Sequence, residues 1–392
     1  MFFLFAMISF VTNLAAPIGT IWGYKFEGNS MLGMMGNMMN FLAYLFMGIP
    51  AGNLLVRIGY KKTALWAMAV GVVGLFVQYL SSVVGADTAI GTMGNTIVPL
   101  NFIIYLLGAF ICGFCVCMLN TVVNPMLNLL GGGGNRGNQL IQTGGSLNSL
   151  SGTLTPFFVG ALIGQLTPAT AMSNVAPLLW IAMGVFAAAF VIISFVAIPE
   201  PNLSTGGKKV KYQHSPWNFR HLVFGVISIF FYVGIEIGIP GTLNFYLSDQ
   251  TAKGAGVVGE ASTIAGAIVA IYWLLMLVGR MASSIISGKV STRAQIITVS
   301  SVAILLVIGA ILIPKTSTLP VPEFIYSGGA TVPVSAFLLI LCGLCTSVMW
   351  GGIFNLAGEG LGKYTAQASG IFMMMVVGGG IMPLLQNYIE GI

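Results

Sequence analysis

Long runs of apolar residues alternate with short polar segments along this 392-residue chain. An α-helix needs roughly 20 apolar residues to cross the hydrocarbon core of a bilayer. The pattern predicts eleven such helices, at about residues 2–22, 31–55, 63–84, 101–129, 139–164, 174–198, 220–247, 261–287, 294–314, 333–357 and 366–389. The predicted fold class is an all-α polytopic membrane protein.

Composition agrees with this class, because 57% of the residues are apolar and 6% are charged, whereas soluble domains carry about 25% charged residues. The net charge of +6 follows the loops. Three basic residues, Lys25, Lys253 and Lys315, fall on one side of the predicted membrane. The other side receives Arg57, Lys61, Lys62, Arg136, Lys208, Lys209, Lys211, Arg220, Arg280, Lys289, Arg293 and Lys363. The positive-inside rule then predicts a cytoplasmic N-terminus. The charge therefore reports topology and indicates no nucleic-acid partner.

Seven carboxamide residues cluster where the fourth and fifth spans meet. Positions four apart share a helix face, so Asn120, Asn124 and Asn128 form one polar stripe. The same spacing recurs on the next helix, and the cluster is completed there by Asn138, Gln139, Gln142 and Asn148. Each carboxamide offers two donors and an acceptor, which suits an uncharged solute rich in hydroxyl groups. Hydrogen bonds that only hold helices together are the alternative, although polar groups at membrane depth usually mark a pathway.

Other polar and aromatic residues lie in the second part of the chain. Glu236 is the one carboxylate well inside a predicted span, and Pro240 predicts a bend beside it. Burial disfavours a charged carboxylate, so Glu236 is a candidate proton carrier, with a fixed hydrogen-bonding role as the alternative. Asn244 is a candidate for the same cavity. Trp273 and Trp350 are candidates for stacking on a sugar ring, with ordinary packing as the alternative.

Short motifs recur at nearly constant distance along the chain. ICGFC begins at residue 111 and LCGLC at 341, an offset of 230, while Gly52 and Gly279 are 227 apart. Asn355 mirrors Asn128 with the same offset of 227. Such an echo predicts two related bundles: residues 1–198, a Pro-, Gly-, Ser- and Lys-rich cytoplasmic linker at 199–219, and residues 220–392.

Enzyme chemistry finds no support in the spans. Their one histidine is His221, at the loop end of the span at 220–247, and no span pairs two carboxylates, so the nucleophile with its base, or the metal cluster, that an enzyme needs is missing. The two C-x-x-C pairs in the motifs at 111 and 341 have no companion histidine, because His214 and His221 both belong to the central loop region, and packing explains the pairs better than metal binding. We predict no enzymatic activity, no cofactor and no metal.

The chain resembles the major facilitator superfamily, and within it the branch of fucose–proton symporters and glucose/galactose transporters. The matching stretches are IPAGNLLVRIGYKK, NTVVNP, LNLLGGGG, LNSLSGTLTPFFVGALIG, RHLVFGVISIFFYVGIEI, YWLLMLVGR and GLGKYTAQASGIFMMMVVGGGIMPLLQ. They occur in both predicted halves. The resemblance implies two six-helix bundles with pseudo-two-fold symmetry, a solute site between them at mid-membrane, and transport by alternating access.

The resemblance also implies roles for single residues. Asn13 and Asn120 stand where the symporter has an aspartate on helix one and a glutamate on helix four. Asn148 matches an asparagine of the family's helix five, and Asn53 replaces the usual aspartate of the signature loop. Since Asn13 and Asn120 cannot titrate, the loss of both acids argues against proton coupling through these positions.

These observations predict a secondary transporter of a neutral sugar, a hexose or deoxyhexose, acting as a multi-pass monomer in the bacterial inner membrane. The predicted substrate contacts are Asn13, Asn120, Asn124, Gln139, Gln142, Asn148, Asn244, Trp273 and Asn355, and Glu236 is the coupling candidate. Facilitated or cation-coupled transport, with Na⁺ as the candidate ion, stands against proton coupling through Glu236. A nutrient receptor of the same fold and an exporter of another small solute are alternatives. Because eleven spans leave the second half one helix short, we also expect a longer parent chain with a twelfth span.

Overall fold

Helices make up most of the protein in the computed structural model, which describes residues 1–26, 30–93, 96–163, 169–200, 213–248, 254–257, 261–323, 325–326 and 328–391. The helices are α1 (Phe2–Lys25), α2 (Ser30–Val83), α3 (Leu100–Leu130), α4 (Gly134–Ile163), α5 (Ala176–Phe195), α6 (Arg220–Ser248), α7 (Ala261–Ile286), α8 (Thr292–Leu312), α9 (Val334–Gly358), α10 (Thr365–Met374) and α11 (Gly378–Gly391). Across these ranges, nine helical segments are long and apolar enough to cross a membrane.

α2 is two crossing helices joined at a glycine. Its 54 residues would reach about 80 Å at 1.5 Å per residue, far beyond a hydrocarbon core of about 30 Å. Gly59 breaks the helix with φ 83° and ψ 177°, a conformation open to glycine because it has no Cβ. The arms, 30–58 and 60–83, match the predicted spans at 31–55 and 63–84.

The remaining segments complete the predicted set of spans. α10 and α11 form one crossing segment, interrupted by a 3₁₀ turn at Met375–Val377. α4 is as long as its neighbours but more polar, because it carries the amide and hydroxyl residues of the cluster. With both arms of α2 and with α4, the described part of the chain has eleven crossing segments, and the predicted all-α membrane fold is confirmed.

The two ends of the bundle differ. β1 (Ala89–Met93) pairs antiparallel with β2 (Thr96–Pro99) just before α3, and β3 (Thr318–Pro320) pairs with β4 (Thr331–Pro333) just before α9. We call this side the hairpin end. The opposite side, the linker end, carries the Gly59 turn, residues 131–133, 287–291 and 359–361, and the chain between α5 and α6. Residues 201–212 of that connection, with the predicted basic cluster Lys208, Lys209 and Lys211, lie outside the described residues.

Glu200 fixes the start of the connection to the first half. Its carboxylate accepts hydrogen bonds from the backbone nitrogens of Tyr60, at 2.7 Å, and Lys61, at 2.9 Å. These are orphan donors at the start of the second arm of α2, where the helix dipole also favours an anion.

The same helix crossing occurs in both halves. Gly113, in the ICGFC motif of α3, lies so close to α2 that a Cβ there would clash with the Asn40 carbonyl oxygen. Gly343, in the LCGLC motif of α9, lies against α7, where a Cβ would be 2.5 Å from the Tyr272 carbonyl oxygen. Asn40 and Tyr272 are 232 residues apart, close to the motif offset of 230. The glycines are therefore corresponding contacts of a duplicated unit.

The outer surface of the bundle is apolar. α8 is the clearest case, because Leu305 is 69% exposed and Ile311 is 75% exposed, while its buried residues are Thr292 and Gln295. A membrane helix has its backbone polar groups paired internally and can present apolar side chains to lipid. Apolar side chains therefore face outward, and polar side chains lie between the helices.

Candidate functional site

A cavity of about 860 Å³ lies between the two halves. Its wall is formed by α1, α2, α3 and α4 of the first half and by α6, α7 and α9 of the second. The volume is within the range of about 300–1,000 Å³ that is usual for small-molecule sites. Of the predicted substrate contacts, the wall includes Asn13, Asn120, Asn148 and Trp273, and it also includes the coupling candidate Glu236.

The first half contributes amides whose positions are held by neighbouring side chains. The Asn120 side-chain nitrogen donates to the Tyr44 hydroxyl at 2.9 Å. The Asn13 side-chain nitrogen donates to the Ser9 carbonyl at 2.8 Å and to its hydroxyl at 3.1 Å. Gly152 of α4 makes room for this pair, since a Cβ there would be 2.8 Å from the Asn13 nitrogen. Both amides are thus fixed in orientation before a ligand arrives.

Asn148 offers an unused acceptor at the cavity. Its side-chain oxygen is buried and has no hydrogen-bond partner among the described residues, yet the residue lines the wall. A buried polar atom without a partner is costly. A ligand hydroxyl that donates to this oxygen would remove the cost.

The second half contributes a buried ion pair. The Arg280 guanidinium donates from Nη2 to Glu236 Oε1 at 3.0 Å, and both residues line the cavity. The prediction that Arg280 belongs to a cytoplasmic loop is therefore wrong. It lies within α7, and the nearby carboxylate together with the hydrogen bonds allows a cation to stay buried there. Its position inside the predicted span 261–287 was the signal that sequence reasoning missed.

Arg280 also reaches the first half. Its Nη1 donates to the Ser149 hydroxyl at 2.7 Å and to the Gly145 carbonyl at 3.1 Å, both on α4. Gly145 permits this approach, because a Cβ there would be 3.3 Å from Arg280 Cδ. One guanidinium therefore joins the two halves at the wall of the cavity.

Two tryptophans give the wall flat apolar faces. Trp273 packs edge-on against Tyr272, with ring centroids 5.4 Å apart. Trp350 lines the cavity and donates from Nε1 to the Asn124 side-chain oxygen at 3.1 Å. Aromatic faces bordered by hydroxyl and amide groups suit a ring with one apolar face and a polar rim.

Five predicted contacts lie away from the cavity wall. Asn124 is behind the wall, and Gln142 donates to the Val348 carbonyl at 2.9 Å across the halves. Asn355 accepts from Asn128 at 2.7 Å. Gln139 accepts through its backbone carbonyl from Thr143, and Asn244 is on the part of α6 nearest the hairpin end. Asn124 and Gln142 were expected to line one cavity with Asn120 and Asn148. This expectation is corrected, because the amides of Asn124 and Gln142 form hydrogen bonds between the two halves instead.

Polar bonds between the halves close the linker end. Besides the Asn128–Asn355 and Gln142–Val348 bonds, Thr143 and Ser284 hydroxyls are 2.6 Å apart, and Asn138 donates to Ser287 at 3.1 Å. In the opposite direction, the cavity extends toward the hairpin end as far as Thr20, Val159 and Ala270. The structure is thus the conformation that is shut at the linker end.

A glycine contact accompanies this closure. Gly48 and Gly52 of α2 pack on Gly370 of α10, where a Cβ would be 2.5 Å from the Gly48 carbonyl oxygen and 2.8 Å from the Gly52 Cα. Small residues let membrane helices approach closely. Gly48, Gly52 and Gly370 therefore form a close contact between the two halves at the linker end.

The arrangement defines a class of protein. A central site between duplicated halves, shut on one side of the membrane, is the arrangement that lets a solute enter from one face while the other stays sealed. The described part of the chain contains no group of three His, Cys, Asp or Glu residues that would hold a metal. Fold and site together therefore define a secondary transporter. Residues 1–383 match the family model of the Major Facilitator Superfamily, and the chain belongs to that superfamily.

Known proteins of similar sequence are sugar transporters by name. The glucose/galactose transporter of Brucella abortus is 29% identical over 391 residues, which cover 98% of this chain and 85% of that protein. The putative glucose/galactose transporter of Helicobacter pylori is 26% identical over 400 residues, which cover 99% of this chain and 86% of that protein.

Solved structures share the fold. The fucose:proton symporter FucP of E. coli superimposes with a TM-score of 0.75 at 16% identity, covering 100% of this chain and 92% of that chain. The proton:xylose symporter XylE gives a TM-score of 0.58 at 13% identity, covering 99% of this chain and 88% of that chain. The predicted membership of the superfamily and of this branch is confirmed.

Proposed function

We propose that this protein moves a neutral hexose across the membrane by alternating access, with the central cavity as the sugar site. The observation that carries the proposal is the unpartnered Asn148 oxygen among fixed amides and aromatic faces. Names of the relatives from Brucella abortus and Helicobacter pylori support glucose and galactose as first substrates to test. The charge of the wall supports neutrality, since Arg280 is compensated by Glu236.

The single chain supplies the whole cavity, which supports a monomeric transporter. The predicted orientation in a bacterial inner membrane, with the linker end in the cytoplasm, rests on the basic residues. Without Arg280, eleven of the twelve basic residues remain on that side against Lys25, Lys253 and Lys315, so the positive-inside argument is unchanged.

The first test is sugar uptake by the purified protein in liposomes. We expect saturable uptake of glucose or galactose, and Asn148→Ala should raise KM about two- to tenfold, the effect of one lost hydrogen bond. Asn218→Ala, at an exposed position of the linker end, is the matched control and should retain the parent KM. Failure of the parent to take up any neutral hexose would contradict the proposal.

The proposed transport is facilitated or cation-coupled, and proton coupling through Glu236 is the competing hypothesis. Protonation of Glu236 would leave Arg280 as a buried cation without its counter-ion, and breaking a buried pair from one side costs about 3–5 kcal/mol. Cation coupling would use amide oxygens and backbone carbonyls freed near prolines such as Pro17, which lines the cavity.

The coupling test compares sugar accumulation with and without an imposed proton gradient. For the parent we expect equal final sugar levels in both conditions. Glu236→Gln should lower the thermal stability, and the neutral pair Glu236→Gln with Arg280→Gln should recover part of it, because no unpaired charge remains. Gradient-driven accumulation by the parent that disappears in Glu236→Gln would establish the competing hypothesis.

A further inference from the structure

Polar contacts between α4 and α7 follow a regular ladder. On α7, residues 280, 284 and 287 share one face, and on α4, residues 138, 145 and 149 do the same, with Thr143 between them along the chain. The rungs pair Ser149 and Gly145 with Arg280, Thr143 with Ser284, and Asn138 with Ser287. Residue numbers rise on one helix as they fall on the other, as antiparallel neighbours require. This α4–α7 ladder runs from the cavity to the linker end.

Arg280 occupies a special place in the ladder, because it is the rung that touches the cavity. Its bond to Glu236 stays within the second half, since α6 and α7 belong to one bundle. Its bonds to Ser149 and Gly145 cross to the first half. A separation of the halves at the linker end would therefore break the crossing bonds and leave the Glu236 bond in place.

Breaking the crossing bonds has a cost that depends on the solute. A buried, charged donor that loses its acceptors is strongly unfavourable. A sugar hydroxyl is the same kind of acceptor as the Ser149 hydroxyl. It can therefore accept the hydrogen bond that Arg280 Nη1 donates to Ser149 in the shut conformation. Asn148, next to Ser149 in the chain, has a buried side-chain oxygen without a partner among the described residues, and this acceptor is available to a solute at the same part of the wall.

We propose that Arg280 links sugar binding to the opening of the linker end: a hydroxyl of the bound sugar takes the place of Ser149 as acceptor for Nη1 and releases the first rung of the α4–α7 ladder. This inference rests on the proposed function. A ligand shifts a conformational equilibrium only by its differential affinity for the two states. The exchange of acceptors supplies that difference, and Arg280 is the positioning residue that carries it.

The experiment measures the width of the linker end directly. Spin labels are attached to Arg136→Cys and Lys289→Cys, which are exposed positions of opposite halves, while the five native cysteines are buried. Labelled parent, Ser149→Ala, Arg280→Lys and the control Arg293→Lys, an exposed arginine of α8, are compared with and without glucose or galactose. Arg280→Lys keeps the charge but loses the planar fork that reaches two partners.

We expect the sugar-free parent and Arg293→Lys to show the short distance. Glucose or galactose should add a longer-distance population to both. Sugar-free Ser149→Ala and Arg280→Lys should show that population already. Because the sugar-free protein then opens more easily, net uptake should gain on sugar exchange. The ratio of exchange to net uptake should fall about tenfold, the effect of one lost bond to a charged group.

Two results would overturn the inference. One is an unchanged short distance in both sugar-free variants, which would make the crossing bonds irrelevant to closure. The other is a parent that transports sugar but keeps its distance distribution when sugar is added. A parent that takes up no hexose fails the proposed function instead, and the sugar-free distances still decide whether Arg280 holds the linker end shut.

Discussion

Asn124 influences the cavity from behind its wall. Its side-chain nitrogen donates to the Asn120 carbonyl at 2.9 Å, and its side-chain oxygen accepts from Trp350 Nε1 at 3.1 Å. Asn120 and Trp350 line the cavity from opposite halves. A single buried amide therefore sets the position of an amide on one side and of an aromatic face on the other.

A double-mutant cycle tests this link. Asn124→Leu removes the amide at similar volume, and Trp350→Phe keeps an aromatic face without the N–H group. Each should raise KM for the sugar, and together they should raise it by less than the product of the single effects. We expect a coupling energy of about 0.6–1.7 kcal/mol, the range found for hydrogen bonds between membrane helices. Independent effects in the cycle would show that the bond does not position the ring.

Sequence reasoning identified the chemistry of the site better than its geometry. The four-residue spacing correctly put Asn120 and Asn124 on one stripe, but it cannot tell which member points at a cavity and which at another helix. Asn355 was paired with Asn128 by offset alone, and the structure joins them by a direct bond. Arg280 was missed because a basic residue near a span end resembles a loop residue until its partner on another helix, Glu236, is known.

At the scale of elements, the contact of α2 with α10 depends on the absence of side chains. The two backbones come together near the linker end at Gly48, Gly52 and Gly370. α2 belongs to the first half and α10 to the second. Such a contact is available in the shut conformation and must loosen when that end opens. Its glycines therefore set how stable the shut conformation is.

Gly370→Val tests the contact. The added side chain should prevent the close approach and destabilise the shut conformation by about 1–3 kcal/mol, the usual cost of overpacking. Gly184→Val, on α5 where a Cβ meets nothing within 4 Å, is the matched control for helix propensity. Thermal unfolding and the spin-label distance across the linker end measure the effect. Equal behaviour of the two variants would contradict it.

The elements themselves were predictable, because length and hydropathy determine whether a helix can cross the core. The turn at Gly59 was also predictable, since a glycine followed by basic residues between two apolar runs indicates the end of a helix. The β-hairpins before α3 and α9 were not predicted. They lie in short segments whose strand character depends on pairing with a neighbour, which a search for apolar runs does not detect.

At the scale of the whole molecule, duplication explains where the site lies. Asn128 and Asn355 are equivalent positions of the two halves, and they hydrogen-bond to each other. Equivalent residues of a two-fold arrangement meet near its axis. The bond therefore marks the pseudo-two-fold axis at the linker end, and the cavity lies between the halves on its hairpin side. The offset of 227 residues in the sequence therefore identified the two residues that meet where the linker end is closed.

The ion pair of Glu236 and Arg280 has an electrical consequence. A unit charge that crosses the membrane field exchanges about 2.3 kcal/mol per 100 mV. The two side chains are 3.0 Å apart within one half, so they move through the field together as a dipole without net charge. A hexose adds none. The change of conformation therefore moves no net charge through this pair, and we expect the rate of that step to depend little on the membrane voltage as far as Glu236 and Arg280 are concerned.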